Sequence, residues 1–270
     1  MREGAPSLTA MVVAAARAAA GIDAVAERLV PRGVLVATAV ASFGLVAHLR
    51  LRTRAIDDVV REGAERDVVQ IVVLGAGLDA RAWRLEATQG AVVYEIDHPA
   101  TQAFKRRRLG DERMLARDVV FVGVDFEKDD LAVQLERAGH DAARPTTWLW
   151  EGVTPYLTPA AIDATLAIVG RRSAPGSALA MTYVTPEYGE VPRVLAPLVR
   201  PAFRLLGEPL RGTMTTEAAA AALERHGLTP VRDDAIADLS ARLSAPRPWR
   251  ALAEHLVVAT PATSGRRSSS

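Results

Sequence analysis

Val72-Val73-Leu74-Gly75-Ala76-Gly77-Leu78-Asp79-Ala80-Arg81 runs from an apolar strand through a glycine turn into a helical stretch. Glycine has no Cβ, so it tolerates positive φ and lets a backbone approach a nucleotide-bearing ligand closely. The spacing is G-x-G-x-x-A. By itself it fits a strand-turn-helix ligand cradle and a plain tight turn equally well, and the rest of the chain has to separate the two.

Beyond about residue 60, short β-rich runs alternate with helical stretches. The runs 68–74, 91–96, 119–124, 146–150, 177–184, 229–232 and 255–259 read as strands. Helices are expected around Ala80 and over 99–109, 129–138, 159–172 and 216–226. This alternation predicts an α/β fold, a mainly parallel sheet with helices on both faces, with any ligand at the carboxyl ends of the strands. No internal repeat or interdomain linker interrupts the chain, so one domain is expected. Its parts are an N-terminal helical cover (1–62), a ligand-binding core (63–184), a helical insertion or lid (185–212), the end of the core (213–260) and a tail (261–270). The insertion holds prolines 186, 192, 197, 201 and 209, and the tail ends in Gly-Arg-Arg-Ser-Ser-Ser, which cannot bury itself.

With 270 residues, 49% hydrophobic and 24% charged, the chain can bury a large core. It reads as soluble and cytoplasmic. A net charge of +1 gives no general reason to expect nucleic acid, and Lys105-Arg106-Arg107-Arg108 is expected to be the solvated face of a helix. The absence of cysteine excludes disulfides, thiolate metal sites and thiol nucleophiles. Histidines at 48, 98, 140, 226 and 255 never fall at i, i+3 or i+4, so no metal site is expected. The apolar stretch 8–20 contains Arg17 and reads as an amphipathic helix capped by Ser7 or Thr9, not a targeting signal. Residues 33–49 carry no formal charge but fall short of the roughly 20 apolar residues of a bilayer span. A buried helix is expected there.

The acidic residues follow the strands. Tyr94-Glu95-Ile96-Asp97-His98-Pro99 places carboxylates 20 and 22 residues after Gly75, a spacing that lets an acid reach ribose hydroxyls beside the glycine turn. Glu95 and Asp97 point to the same side if the strand runs through both. The third strand enters Gly123-Val124-Asp125-Phe126-Glu127, where Asp125 could accept from an adenine amino group while Phe126 packs on the ring; the plainer reading is a turn and a core residue. After the fourth strand comes Trp148-Leu149-Trp150-Glu151-Gly152-Val153-Thr154-Pro155-Tyr156-Leu157-Thr158-Pro159. Thr158 is placed to cap a helix with Pro159 at its first position. A glutamate directly after two tryptophans is costly to bury without a partner, and Arg52 or a ligand hydroxyl or ammonium group is expected to supply one.

Taken in order, these blocks resemble the leucine carboxyl methyltransferase-like and polyketide O-methyltransferase family of enzymes dependent on S-adenosylmethionine (SAM). The resemblance spans roughly residues 7–260. It rests on Ser7-Leu8-Thr9-Ala10 with Ala15-Ala16-Arg17-Ala18, on Arg52-Thr53-Arg54-Ala55-Ile56-Asp57, on the glycine block 74–81, on Glu95-Ile96-Asp97-His98-Pro99 and on Glu151-Gly152-Val153-Thr154-Pro155-Tyr156-Leu157. It implies a class I SAM-methyltransferase, Rossmann-like sheet of seven strands under N-terminal and inserted helices. Carried over by position, Arg52 would bind the cofactor carboxylate, Gly75, Ala76 and Gly77 would pass beneath the methionine part, and Asp97, with Glu95, would hold the ribose. Asp125 and Phe126 would meet adenine, and Glu151 would lie near the methionine amino group. Gly21-Ile22-Asp23-Ala24 departs from the Asp-Pro pair of many relatives, and 187–206 does not align.

The implied reaction is O-methylation of a carboxylate or hydroxyl on a small molecule, natural product or peptide C-terminus. A carboxylate acceptor needs no base near neutral pH, whereas an alcohol or phenol would benefit from one. Tyr156, His98 and Arg211 are the candidates for placing the acceptor. A nicotinamide-dependent oxidoreductase also fits the glycine turn and the acidic strand end, but no Tyr-x-x-x-Lys pair exists: His98, Ala160, Glu187 and Pro192 lie four residues after the tyrosines. A SAM-binding protein without turnover would keep the same blocks.

Overall fold

The computed structural model describes residues 8–40, 44–126, 128–186, 211–245 and 253–262. Four helices precede the first strand: α1 (Leu8–Ala19), α2 (Ala26–Leu29), α3 (Arg32–Val40) and α4 (Leu45–Ala64). Then follow β1 (Gln70–Leu74), α5 (Arg81–Arg84), β2 (Val92–Asp97), α6 (Pro99–Leu109), β3 (Asp118–Gly123), α7 (Leu131–Arg137), β4 (Thr147–Trp150), α8 (Pro159–Arg171) and β5 (Ala178–Val184). The described chain closes with α9 (Thr216–Arg225), β6 (Leu228–Ala235), α10 (Leu239–Arg242) and β7 (Glu254–Pro261).

The strands form one seven-stranded sheet in the order β3-β2-β1-β4-β5-β7-β6. The first five in that order pair in parallel, and β7 runs antiparallel to both of its neighbours. Alternating side chains of β1 feed two cores, as period-two geometry requires. Ile71 and Val73 pack with Ala14 of α1, Leu29 of α2 and Leu51, Ile56 and Val59 of α4. Val72 and Leu74 pack with Leu135 of α7, Leu166 of α8 and Leu223 of α9. Each such fully buried aliphatic side chain contributes roughly 1.5–3 kcal/mol. Local chemistry sets the helix starts: the Asp130 carboxylate accepts from the Ala132 and Val133 amides, and the Thr158 hydroxyl accepts from the Ala161 amide with Pro159 behind it.

All seven expected strands are present, shifted by at most a few residues, and β6 is longer than the expected 229–232. It bulges between Pro230 and Arg232 at the edge of the sheet, where proline's missing N–H is tolerated. Three expectations need correction. Residues 33–49 are not one buried helix: α3 and α4 divide the stretch, Gly44 precedes α4 with φ of +89°, and Val36 is 64% exposed. Lys105 is not solvated, being 1% exposed, because its ammonium group is consumed inside the core; only Arg106, Arg107 and Arg108 face water. Thr9 lies within α1 and does not precede it.

The Ser7 cap, Glu127, the insertion between 187 and 210 and the tail from 263 lie outside the described residues. Among the described residues no helix is long and apolar enough to cross a membrane, and no group of three or more metal-ligating side chains comes together.

Candidate functional site

The carboxyl end of β1 opens into the glycine turn. Gly75 and Gly77 adopt φ of +68° and +51°, conformations that a side chain would strain. A Cβ on Gly75 would sit 2.4 Å from Val153 Cγ2, so the segment leaving β4 packs directly on the turn. The Ala76 amide donates to the Ile96 carbonyl at 2.9 Å and ties the turn to β2. Asp97, the last residue of β2, accepts from the Gly77 amide through one oxygen and from the His98 amide through the other, both at 2.6 Å. Burial pushes its carboxyl above the usual aspartate value, opposed by those amides and by the Thr101 hydroxyl. The carboxylate and the turn thus form one rigid unit.

Glu95 does share the side of Asp97, as β2 runs through both, yet its carboxylate faces inward. Lys105 donates to its two oxygens at 2.7 and 2.6 Å, both residues are 1% exposed, and the ammonium lies 5.0 Å from the Trp83 ring centroid. Burial raises the Glu95 carboxyl to about 7 despite the pull of Lys105. Glu95 therefore departs from the expected ligand contact and forms a support behind Asp97. Asp125, just past β3, pairs with Lys128 at 2.8 Å, and its amide donates to Asp129. Phe126 is half-buried against the second core.

A buried ionic network fills the space between the N-terminal helices and the ends of β4 and β7. Arg52 of α4 donates through Nε to Glu151 at 2.9 Å and through Nη1 to both oxygens of Glu254 at 2.9 and 3.1 Å. The pairing expected between Glu151 and Arg52 is therefore present. Arg81 also reaches Glu151, with Nη2 and Oε2 2.8 Å apart, but the pair is misaligned and neither atom makes a hydrogen bond. Arg81 further engages Asp57 at 2.7 Å and Asp79, which also accepts from the Arg81 amide. Arg84 bonds Asp57, and Arg17 bonds Asp23 at 3.1 Å and the Leu78 carbonyl at 2.7 Å. Burial favours neutral carboxyls, but the guanidinium groups outweigh it and hold Asp57, Asp79 and Glu151 below their usual values. Without those partners, each of these charges would be expensive to bury.

The acceptor-side candidates lie at the same edge of the sheet. Tyr156 is half-buried in a short 3-10 turn after β4, and the Arg211 amide donates to the Pro155 carbonyl at 2.7 Å, which brings the two residues together. His98 caps α6 by accepting from the Ala100 amide through Nδ1 at 3.2 Å, which in the neutral ring assigns the proton to Nε2. In this tautomer His98 offers a donor, not a base.

Sequence reasoning assigned no role to Arg17, Asp23, His48, Asp57, Asp79, Arg81, Arg84 or Glu254. Part of the signal was available: Arg17 interrupts an apolar helix, and His48 and Arg52 are four residues apart, on one helical face. The acids that complete the network come from distant segments, which no local pattern reveals.

A family model described as leucine carboxyl methyltransferase matches residues 10–170, more than half of the chain. A Mycolicibacterium gilvum protein, assigned by name to the SAM-dependent methyltransferases, is 44% identical over 143 residues, covering 52% of this chain and 46% of that protein. The chain spans about half the length of the curated relatives it matches. Two solved structures share the fold over nearly their whole length. One, from Thermobifida fusca and assigned by name to the methyltransferases, is 20% identical with 96% of each chain covered and a TM-score of 0.64. The other, a DUF574-family protein from Streptomyces avermitilis, is 18% identical over 95% of this chain and 98% of its own, with a TM-score of 0.66. On the family match, the chain belongs to the leucine carboxyl methyltransferase family.

Proposed function

We propose that this protein binds SAM at the carboxyl edge of its sheet and transfers the methyl group to an oxygen of a small molecule or peptide, either a carboxylate or a hydroxyl. The observation that carries the reading is the joint placement of the glycine turn, the Asp97 carboxylate locked on the Gly77 amide, and the Arg52–Glu151 pair at the end of the neighbouring strand. The names of the relatives support the same cofactor, and the family description favours a carboxyl acceptor.

The residues fit the cofactor's chemistry. Among the described residues, Arg52 Nη2 makes no hydrogen bond and borders Gly152, where a Cβ would come to 3.5 Å, so a donor remains for the cofactor carboxylate. Glu151 Oε2 is ion-paired with Arg81 Nη2 at 2.8 Å but accepts no hydrogen bond, so it keeps acceptor capacity for an ammonium group. Asp97 keeps a lone pair for the ribose hydroxyls after accepting from two amides and the Thr101 hydroxyl. The groups proposed for adenine are Asp125 and Phe126, which leave β3 in a turn; Asp125 is already paired with Lys128 and Phe126 packs on the second core, so an adenine would share both side chains with those contacts. When bound, SAM supplies a methyl group on a cationic sulfur that is displaced in line by the acceptor oxygen.

The protein's contribution is orientation and exclusion of water. Arg52 and Glu151 fix the amino-acid end and Asp97 the ribose, so the methyl group is presented in one direction. Tyr156, Arg211 and the Nε2–H of His98 are donors suited to holding an anionic acceptor. An acceptor that is already ionised needs no proton removed, which agrees with the donor character of this set. The test is a mass-spectrometric screen of carboxylic acids, phenols and peptide C-termini with SAM. A gain of about 14 Da on a carboxylate or hydroxyl, with S-adenosylhomocysteine released in equal amount, is the expected result. Transfer exclusively to nitrogen or carbon, or SAM binding with no transfer to any class, would contradict it.

A further inference from the structure

We infer that Glu254, the first residue of the last strand, is a positioning residue that works with His48 to aim the Arg52 guanidinium at the carboxylate of the cofactor's amino-acid part. The inference rests on the proposed SAM site and adds Glu254, which lies outside the matched family segment 10–170, and His48, which lies within it.

The geometry has three parts. Glu254 opens β7 opposite Val184 at the carboxyl end of β5, so its backbone is fixed by the sheet. Both of its oxygens accept from Arg52 Nη1, and Oε2 lies 2.6 Å from His48 Nε2. His48 and Arg52 stand four residues apart on α4, one turn of helix, so a single carboxylate holds two side chains of the same face. All three are buried: His48 is 0% exposed, Arg52 5% and Glu254 3%. Thr182 of β5 completes the surroundings, its hydroxyl bonding Glu254 and accepting from the Gly152 amide. Glu151 and Glu254 thus clamp Arg52 at Nε and Nη1 and leave Nη2 as the donor toward the ligand. Without Glu254 the guanidinium could pivot about its single remaining carboxylate partner, and a planar fork loses its value when its orientation is lost.

A purely structural ion pair between α4 and β7 would show the same contacts, so the test must separate orientation from stability. SAM and 5′-methylthioadenosine share the adenosine and the sulfur, but only SAM carries the amino-acid carboxylate. Their affinities are measured by calorimetry for the full chain, for Glu254→Gln, for Arg52→Ala and for the double variant. The expected result is a loss of about tenfold in SAM affinity for Glu254→Gln, the scale of one charge-assisted hydrogen bond, with methylthioadenosine unchanged within about twofold. On the Arg52→Ala background the same substitution should add nothing, because the effect passes through Arg52. If Glu254→Gln does not fold, His48→Leu, which removes the second partner of the same carboxylate, is read on the same ratio, with a loss of about threefold expected. Equal losses for both ligands, or no loss for either, would overturn the positioning role. Failure of the unaltered protein to bind SAM would overturn the cofactor reading itself, and this inference with it.

Discussion

Replacing Gly75 by alanine tests the close packing of the glycine turn against the end of β4. The backbone there has φ of +68°, and a left-handed conformation costs an alanine about 1–2 kcal/mol relative to glycine. The new Cβ would lie 2.4 Å from Val153 Cγ2, inside contact distance, and forcing extra volume into such packing costs about 1–3 kcal/mol more. The total is about 2–5 kcal/mol, a large part of a typical domain's stability. Shortening the neighbour removes the second component only. Gly75→Ala placed on a Val153→Ala background should therefore cost just the backbone part, giving a coupling of about 1–3 kcal/mol in a double-mutant cycle measured by urea denaturation. Displacement of the turn also moves the Gly77 amide off Asp97, so calorimetry should show weaker cofactor binding in Gly75→Ala and partial recovery in the double variant. Additivity within about 0.3 kcal/mol would refute the packing argument.

Three further outcomes follow from the same geometry. Asp97→Ala should weaken SAM binding by about 1.5–3 kcal/mol, the range for hydrogen bonds to a charged group, with the fold checked by circular dichroism. Lys105→Met removes the partner that draws the Glu95 carboxyl down from above about 7, so the buried carboxyl takes up a proton and is left as an unsatisfied polar group; the protein should lose about 1–3 kcal/mol in chemical denaturation at neutral pH, and Lys105→Met with Glu95→Leu should recover most of that. Burial opposes the charge on Glu254, but Arg52 and His48 hold its carboxyl at about 2 against an ordinary 4.5. A depressed carboxyl contributes stability that is complete above about 4.5 and is lost as pH falls toward 2, so thermal melting of the intact protein should drop steeply across that window and less steeply in Glu254→Gln.

The sheet was legible because its evidence is local. Runs such as Ile71 to Leu74 and Trp148 to Trp150 alternate between two cores, and Pro99, Thr158 and Pro159 mark helix starts by their own chemistry. The link between Glu151 and Arg52 was foreseeable because a buried glutamate demands a partner. What escaped reading depends on which distant segments the fold brings together. The run of four basic residues concealed one lysine that turns inward to Glu95, since helical position alone, and not composition, decides which of adjacent charges faces the core. The same holds for Glu254, 202 residues from Arg52, and for Asp23, whose pairing with Arg17 depends on a turn between α1 and α2. The stretch 33–49 misled because an uncharged sequence is not necessarily a buried one, and Gly44 allows the chain to break there.

Isothermal titration of the purified chain with SAM, S-adenosylhomocysteine, NAD and NADP decides whether the carboxyl edge of the sheet is a SAM site. Saturable binding of SAM and S-adenosylhomocysteine that Asp97→Ala weakens, with no binding of either nicotinamide cofactor, is the expected result; binding of NAD or NADP without SAM, or SAM binding indifferent to Asp97→Ala in a folded protein, would refute the assignment.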